Sequence, residues 1–492
     1  MRLPLAEEKV SFFVCYLLLC GIVAGLSIAW ASNAVSNVSM EVLATFFLNG
    51  ILALCALFWA TRLHAFSLAQ FHWLFYLIFF FLAPLQQYCS GYWPWSLITS
   101  DSELLATNFM LFGWGASFQI GVAWCMARAS KRNRGKPGKQ KPMFLSDVRL
   151  AYLVVVSLVC VGYLILSTGF EGLFSRAAQD SDTATTLGLV NSVVMKAIPL
   201  YCFVLIFVRY IATKRGVFGL LVSVSLVLVA CFPTGSARFM VAGVYLGLLL
   251  FVLEYLRCPK GYTSLLVVVG ILVAFPVIDL FRYYSFEEAL LRLASNPLGP
   301  LLNGFLSGNF DAYSMIIQVE HYASAFGHTN GNQAIGALLF FVPRAIWPGK
   351  PTITGPMVFE SFNRPFTNVS TSIPAEAYID FGMVGILAIG FLLGWACCRL
   401  DGKYWEACED ESVTFLRLYY PFLLPLFFFT MRGSLMAGFP YVVGFGVICT
   451  ILMRLMQANT RSSSAEIIRL EHGRRRFRPS TIRKEGGCEV FE

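Results

Sequence analysis

Long apolar runs recur along the whole chain, and each is long enough to cross a lipid bilayer as a helix. A transmembrane helix needs about 20 mainly apolar residues to span the hydrocarbon core. Hydrophobic residues make up 57% of the 492 residues and charged residues only 13%, whereas about 25% of a soluble domain is charged. Charge this sparse cannot cover the surface of a water-soluble protein of this size. The sequence therefore predicts an all-α polytopic membrane protein.

Twelve transmembrane helices are predicted from these runs. They cover residues 10–30, 42–60, 73–88, 104–126, 151–166, 192–210, 217–232, 239–255, 264–281, 382–398, 415–431 and 435–453. The first run is too long for the core of a signal peptide and has no obvious cleavage site, so we expect it to be retained. The spans form one membrane domain, residues 1–456, and a basic tail follows over residues 457–492.

Basic residues concentrate in every second connection between the predicted spans. These connections include residues 62, 128–141, 209–215, 257–260 and 399–403, and the tail continues the pattern. Cytoplasmic loops of membrane proteins carry an excess of Lys and Arg. The alternation therefore predicts that both termini are cytoplasmic. It also accounts for the net charge of +9, so we expect anionic lipids as partners and no nucleic acid.

The 14 cysteines lie mostly inside apolar runs, where they are typical small apolar helix residues. The sequence contains no CxxC pair and no Cys/His cluster. We therefore expect neither a disulfide framework nor a zinc site.

An outward segment, residues 282–373, separates the ninth and tenth predicted spans. A connection of this length without secondary structure would be unusual, and residues 298–325 have helical periodicity. Its polar stripe comprises Asp311, Ser314, Gln318 and His321, and its apolar stripe comprises Met315, Val319, Tyr322 and Phe326. The pattern predicts an amphipathic helix at the outer membrane–water interface. The simplest interpretation of the polar stripe is a solvated face.

Cations on the outward side need a reason, because topology predicts few of them there. They are Arg176, Arg238, Arg282, Arg292, Arg344, Lys350, Arg364 and Arg432. Each one alone can be explained by contact with lipid headgroups. As a set they suit an anionic ligand reached from the membrane, above all a lipid-linked diphosphate, because arginine forks match phosphate oxygens.

Two short motifs lie close to these cations. Residues 340–351 contain three prolines and a glycine, which make the stretch rigid and non-helical, and they carry Arg344, Trp347 and Lys350. Residues 374–385 place Glu376 and Asp380 one helical turn apart, where the tenth span enters the membrane. The simpler interpretation of this pair is favourable negative charge near a helix N-terminus.

The motifs resemble those of the Wzy-type oligosaccharide repeat-unit polymerases, which make O-antigen and capsule in bacterial inner membranes. The resemblance rests on F-x-P-R-x-x-W-P-x-K-P at 341–351, E-x-Y-x-D-F-G-x-x-G at 376–385 and the Arg-Gly pair at 432–433. It implies a fold like that of the C-type glycosyltransferase superfamily. It also implies transfer of a growing glycan from undecaprenyl diphosphate to the non-reducing sugar of a new lipid-linked repeat unit, at the periplasmic face and without metal, nucleotide or other cofactor.

The predicted site combines cations for the diphosphate with a base for the acceptor hydroxyl. The expected substrate-binding residues are Arg176, Arg238, Arg282, Arg344, Trp347, Lys350 and Arg432. Glu376 is the preferred general base, followed by His321 and Asp311. The expected partners are undecaprenyl-diphosphate-linked glycans, and a chain-length regulator is a candidate further partner.

Three other functions fit parts of the pattern. An O-antigen ligase uses the same donor, but in the related pattern a His-Asn pair precedes the acidic motif, and here Ser370-Thr371-Ser372 occupies that region. A flippase or other transporter would need charges along a path through the membrane, yet Lys196 and Asp279 lie near span ends. A polyprenyl-monophosphate-dependent glycosyltransferase usually has acidic residues in its first outward loop, whereas residues 31–41 of this chain contain only one, Glu41.

The topology is testable by reporter fusions and cysteine labelling. We expect residues 128–141 and the tail beyond Arg454 to be cytoplasmic and residues 282–373 to be external, because the basic connections alternate. A cytoplasmic location of residues 282–373 would overturn both the topology and the enzyme hypothesis.

Overall fold

The computed structural model describes twelve stretches of the chain. They are residues 5–35, 38–131, 147–174, 186–233, 236, 238–256, 260–274, 286–296, 299, 303–366, 368–409 and 413–456. The basic tail therefore lies outside the described residues, as does the end of the predicted ninth span.

The described residues form helices and contain no strand. The helices before the long connection are α1 (Leu5–Ser32), α2 (Met40–Leu63), α3 (Leu68–Ser90), α4 (Asp101–Lys131), α5 (Asp147–Phe174), α6 (Thr186–Thr213), α7 (Val217–Ala230), α8 (Arg238–Leu256) and α9 (Tyr262–Val269). The later helices are α10 (Phe286–Ser295), α11 (Ala312–Phe326), α12 (Asn332–Leu338), α13 (Thr354–Ser361), α14 (Ile373–Glu409), α15 (Phe415–Arg432) and α16 (Leu435–Met456).

Eight of the described helices, α1–α6, α14 and α16, are long and apolar enough to cross a membrane. Helices α7, α8 and α9 are also apolar but shorter. The prediction of an all-α, multi-pass membrane protein is therefore confirmed, and eight spans rather than twelve satisfy the criteria of length and composition.

Helix α3 is the centre of the bundle, because it is buried from Leu68 to Cys89. A helix that is apolar on every side is expected to be enclosed by other helices. A π-helical turn, Ile78–Leu82, interrupts its regular hydrogen bonding. Its N-terminus is capped by the Ser67 side chain, which accepts a hydrogen bond from the Gln70 backbone N–H at 3.0 Å.

Helices α4 and α14 approach each other through glycines. A Cβ atom added at Gly121 would lie 2.1 Å from the Phe391 carbonyl oxygen, and one added at Gly394 would lie 2.0 Å from the Phe118 carbonyl oxygen. Each glycine thus receives the backbone of the opposite helix. Small residues at helix contacts allow this close packing in membranes, where it is a main source of helix association.

Helix α14 is also connected to three other helices through buried carboxylates. Each carboxylate accepts hydrogen bonds from backbone N–H groups at the start of another helix: Glu376 from Leu435 of α16, Asp380 from Gln333 and Ala334 of α12, and Asp401 from Leu68 and Ala69 of α3. The first N–H groups of a helix have no partner within it, so these carboxylates satisfy groups that would otherwise be buried without one.

The acidic motif lies inside a helix that begins earlier than predicted. The predicted tenth span starts at residue 382, but α14 starts at Ile373 and therefore contains Glu376 and Asp380. The helix bends at Gly382, which has φ 59° and ψ −147°. Glycine adopts this conformation readily because it lacks a Cβ atom.

The long connection, residues 282–373, is partly helical, as predicted, and contains α10–α13. Helix α11 begins at Ala312 rather than at residue 298. The prediction that it lies at the membrane–water interface is wrong for its first half, because residues 312–319 are buried. Buried residues include Ser314 and Gln318 of the polar stripe as well as Met315 and Val319 of the apolar stripe. The sequence pattern distinguished a polar face from an apolar face, but in the first half of the helix both faces are buried against other parts of the protein.

We expect Gly394→Ala to destabilise the protein, because its methyl group would collide with the Phe118 carbonyl of α4. Overpacking typically costs about 1–3 kcal/mol, and backbone relaxes less readily than side chains. The measurement is the melting temperature in detergent. Gly25→Ala is the matched control, because no atom lies within 4 Å of its added Cβ. Equal melting temperatures for the two variants would contradict the glycine contact.

Candidate functional site

Three parts of the chain meet at one end of the bundle, which we call the loop end. They are residues 93–103, residues 304–380 and the turn 432–434 between α15 and α16. Contacts between them join residues more than 100 positions apart, such as Arg432 with Gly308 and Trp95 with Asp311. Most of the predicted site residues that the structure describes lie here.

Arg432 and Asp311 form an ion pair at the loop end. Arg432 Nη2 lies 3.0 Å from Asp311 Oδ1 and also donates to the Gly308 carbonyl at 3.1 Å. The side chain of Asp311 is only 1% exposed and that of Arg432 is 24% exposed. Burial raises the pKa of Asp311, and the charge of Arg432 opposes this shift. Arg432 Nε is buried without a hydrogen-bond partner among the described residues.

Trp95 connects this pair to a second arginine. Its indole Nε1 donates to Asp311 Oδ2 at 2.8 Å, and its carbonyl accepts from Arg364 Nη1 at 2.7 Å. Trp95 has φ 63°, a left-handed conformation that is rare for bulky residues. Its ring stacks on Phe366 and packs against Gly308, where a Cβ would lie 2.7 Å away. A strained residue held by this many contacts is typical of functional sites.

Glu376 is buried and accepts four hydrogen bonds. Its Oε1 accepts from the hydroxyls of Thr354 at 3.1 Å, Thr371 at 3.3 Å and Ser434 at 2.5 Å. Its Oε2 accepts from the Leu435 backbone N–H at 2.9 Å. Both oxygens are therefore occupied by groups of the protein itself. This arrangement fixes the turn that follows Arg432.

In the proline-rich stretch, residues 340–351, the two cationic side chains donate hydrogen bonds to backbone carbonyls of the same stretch. Arg344 donates to the carbonyls of Lys350 at 2.6 Å and Pro351 at 3.1 Å, and Lys350 Nζ donates to those of Phe340 at 2.6 Å and Val342 at 3.0 Å. Burial and the charge of Arg344 lower the pKa of Lys350. Arg344 is exposed and Trp347 is half-buried. The stretch contacts the start of α16, where Phe340 meets Phe439 edge-on.

His321 pairs with a carboxylate from another helix. Its Nε2 lies 2.8 Å from Glu103 Oε1, and the two side chains are 35% and 37% exposed. Next to this pair, Thr107 Oγ1 lies 3.2 Å from a carboxylate oxygen of Glu320. Burial raises the pKa of Glu320 to about 7, and the charge of Glu103 adds to the shift. This cluster is more accessible than Glu376 or Asp311.

The structure brings together only some of the predicted site residues. Asp311 and Arg432 are in contact, and His321 lies on α11, the helix that begins directly after Asp311. Among the described residues, Arg344 and Arg432 share no hydrogen-bond partner. Arg176 and Arg282 lie outside the described residues, and so does the side chain of Arg238, whose backbone begins α8.

Sequence reasoning missed Trp95, Glu103 and Glu320. One signal for Glu103 was available, because Ser100-Asp101-Ser102-Glu103 has the S-x-x-E pattern of a capping box. No such signal marks Trp95, whose role depends on contacts with residues more than 200 positions away. No family model, no curated protein and no solved structure matches the chain.

Glu376 should be more important for stability than for proton transfer. We expect Glu376→Ala to lower the melting temperature in detergent strongly, because each buried donor left unpaired costs about 1–3 kcal/mol. Glu376→Gln should cost less, since its amide keeps one acceptor oxygen. Glu360→Ala, which removes an exposed carboxylate of α13, is the control. If Glu376→Gln kept the melting temperature but abolished the expected glycosyl transfer, Glu376 would instead be the general base.

Proposed function

We propose that this protein polymerises undecaprenyl-diphosphate-linked oligosaccharide repeat units at the periplasmic face of a bacterial inner membrane. The Arg432–Asp311 pair carries the proposal. It joins an arginine at the end of α15 to a buried carboxylate, and the Nε atom of this arginine is buried without a hydrogen-bond partner among the described residues. In this proposal the enzyme is a metal-independent glycosyltransferase of the Wzy type.

The proposed architecture has twelve spans and both termini in the cytoplasm. The eight long apolar helices are supplemented by the shorter helices α7, α8 and α9 and by α15. Each of these four coincides with a predicted span. With this count the loop end faces outward, and the connections rich in Lys and Arg face the cytoplasm. The resulting arrangement would resemble the C-type glycosyltransferase superfamily.

Arg432 and Arg364 are the proposed ligands of the donor diphosphate. They are connected through Trp95 and Asp311, so a small group of contacts determines the positions of two guanidinium groups. Two arginines and one carboxylate leave a net positive charge. Fixed positive groups stabilise a leaving diphosphate without having to reorganise during the reaction. Arg344 and Lys350 would then serve mainly to keep the proline-rich stretch in shape.

His321 is the proposed base among the three predicted candidates. Glu376 and Asp311 are buried and have both carboxylate oxygens occupied by protein donors. His321 is partly exposed and lies on α11, which begins directly after Asp311. Ten residues separate the two, which corresponds to about 15 Å along the helix axis. In this proposal the diphosphate lies beside Arg432 and the anomeric carbon of the donor lies toward His321.

The proposed reaction is a single glycosyl transfer. A hydroxyl oxygen of the acceptor sugar forms a bond with the anomeric carbon of the donor glycan, and the bond from that carbon to the diphosphate oxygen breaks. The hydroxyl proton moves to His321, and undecaprenyl diphosphate leaves with the bonding electron pair. Asp311 keeps Arg432 beside the departing phosphate.

Arg432→Ala should reduce glycan elongation about ten- to a hundred-fold, since one charge-assisted contact is worth about 1.5–3 kcal/mol. The readout is the glycan ladder formed by purified protein from lipid-linked repeat units in excess EDTA. Arg432→Lys should retain part of the activity if charge is sufficient. Arg128→Ala is the control, because this exposed arginine lies at the other end of α4.

The ion pair could also matter only for folding, so a second variant is needed. Arg432→Ala combined with Asp311→Asn removes both charges and should restore protein level without restoring elongation. Normal ladders from this double variant would remove Arg432 from the proposed site. Transfer of finished glycan to lipid A core, without ladder formation, would identify a ligase instead.

A further inference from the structure

Glu103 is fixed by the first turn of α4. Its Oε2 accepts hydrogen bonds from the Ser100 backbone N–H at 2.8 Å, the Ser100 hydroxyl at 3.0 Å and the Thr99 hydroxyl at 3.2 Å. In return, the Ser100 hydroxyl accepts from the Glu103 backbone N–H at 3.4 Å. This reciprocal arrangement is a capping box, which satisfies the free N–H groups of a helix start.

The capping box uses only one of the two carboxylate oxygens. Oε1 of Glu103 points away from the first turn and contacts His321 Nε2 at 2.8 Å. A carboxylate that accepts three hydrogen bonds from its own turn is stabilised in its ionised form. An ionised carboxylate can only accept a hydrogen bond, so Nε2 of the histidine must donate. The neutral imidazole therefore has its lone pair on Nδ1.

Side chains of three helices surround the Glu103–His321 pair and leave it accessible. Glu320 precedes it on α11 and is bound by Thr107 of α4, while Tyr378 of α14 lies near Glu320. His328 packs edge-on against Tyr378. About a third of each side chain of the Glu103–His321 pair is exposed, so a ligand can reach it.

Stability alone gives little reason for this pair. Ion pairs that are this exposed contribute little to the free energy of folding. The capping box is already complete without the histidine, and α11 is anchored by its buried first half, where Tyr313 donates to Asn108 at 3.0 Å. A fixed carboxylate that orients an accessible imidazole is the arrangement that general bases require.

We infer that Glu103 is a positioning residue that holds His321 with its Nδ1 directed toward the acceptor sugar hydroxyl. The inference rests on the proposed function and extends it to the acceptor side of the site. In the transfer step the hydroxyl oxygen bonds to the anomeric carbon and the bond from that carbon to the diphosphate oxygen breaks, so undecaprenyl diphosphate leaves with the electron pair. The hydroxyl proton goes to Nδ1, and Glu103 stabilises the imidazolium that forms. Glu103 itself stays ionised throughout.

Glu103→Gln provides the sharpest test. Glutamine preserves the capping box, but its neutral amide replaces the carboxylate that contacts the imidazole of His321. We expect kcat to fall in Glu103→Gln, and to fall about 10²–10⁴-fold in His321→Gln, which removes the base itself. The KM for the donor should stay unchanged in both. The double variant should be no slower than His321→Gln alone, since both residues act through one step. The substrates are the lipid-linked repeat units that accumulate in cells lacking the protein.

Glu406→Gln is the matched control, because it makes the same carboxylate-to-amide change on an exposed side chain near the C-terminal end of α14. Activity per mole of purified protein should be close to wild type in this variant. Normal kcat in His321→Gln, with an active wild type, would overturn the inference and leave the proposed function standing. Absence of elongation by the wild type would instead overturn the proposed function.

Nitrogen-15 NMR of the imidazoles tests the geometry separately from activity. The signal of His321, assigned by its loss in His321→Gln, should show a proton on Nε2 and none on Nδ1 at pH 8. Glu103→Gln should turn this single tautomer into a mixture. A mixture already present in the wild type would contradict the orienting role of Glu103.

Discussion

The loop end depends on hydrogen bonds in which carboxylates of α14 accept from backbone N–H groups at the starts of other helices. The carboxylates are buried in the protein, so these N–H groups have little access to water, and leaving them unpaired is costly. Helix α14 supplies Glu376, Asp380 and Asp401 for three different helices. Because one helix holds all three carboxylates, the starts of α16, α12 and α3 are fixed relative to each other. The glycine contacts between α4 and α14 in turn fix the position of α14, the helix that contains the three carboxylates.

The position of Arg432 follows from this arrangement. Glu376 binds Ser434 and Leu435 directly after it, so the turn between α15 and α16 has one conformation. Arg432 is thereby directed toward Gly308 and the start of α11. Asp311, which pairs with Arg432, also accepts a hydrogen bond from Trp95, and the carbonyl of Trp95 accepts one from Arg364. A carboxylate with no role in the proposed chemistry thus determines where the proposed chemistry takes place.

Sequence reasoning recovered the parts that depend on local pattern. Apolar runs of sufficient length identified the all-α membrane class and the eight helices that are long and apolar enough to span a membrane, and proline content identified residues 340–351 as non-helical. Helical periodicity identified α11, but it could not reveal that α3, α4, α13 and α14 would enclose its first half, because periodicity reports faces and not neighbours. For the same reason Arg344 and Lys350 resembled free cations, although both bind carbonyls of their own stretch. The Glu103–His321 contact joins residues 218 positions apart, which no local pattern encodes.

The pairing of Asp311 with Arg432, 121 positions later, also has a consequence for biogenesis. A ribosome releases α11 well before α14 and α15, so the helix has no enclosure while its surroundings are still being synthesised. Its first turns hold polar side chains that lipid would not accept, and its apolar residues would not remain in water without cover. We therefore expect helix α11 to join the bundle only after α14 and α15 have been synthesised. The loop end would then be the last part of the protein to form. A chain truncated before α15 would lack Arg432 and would not form the loop end.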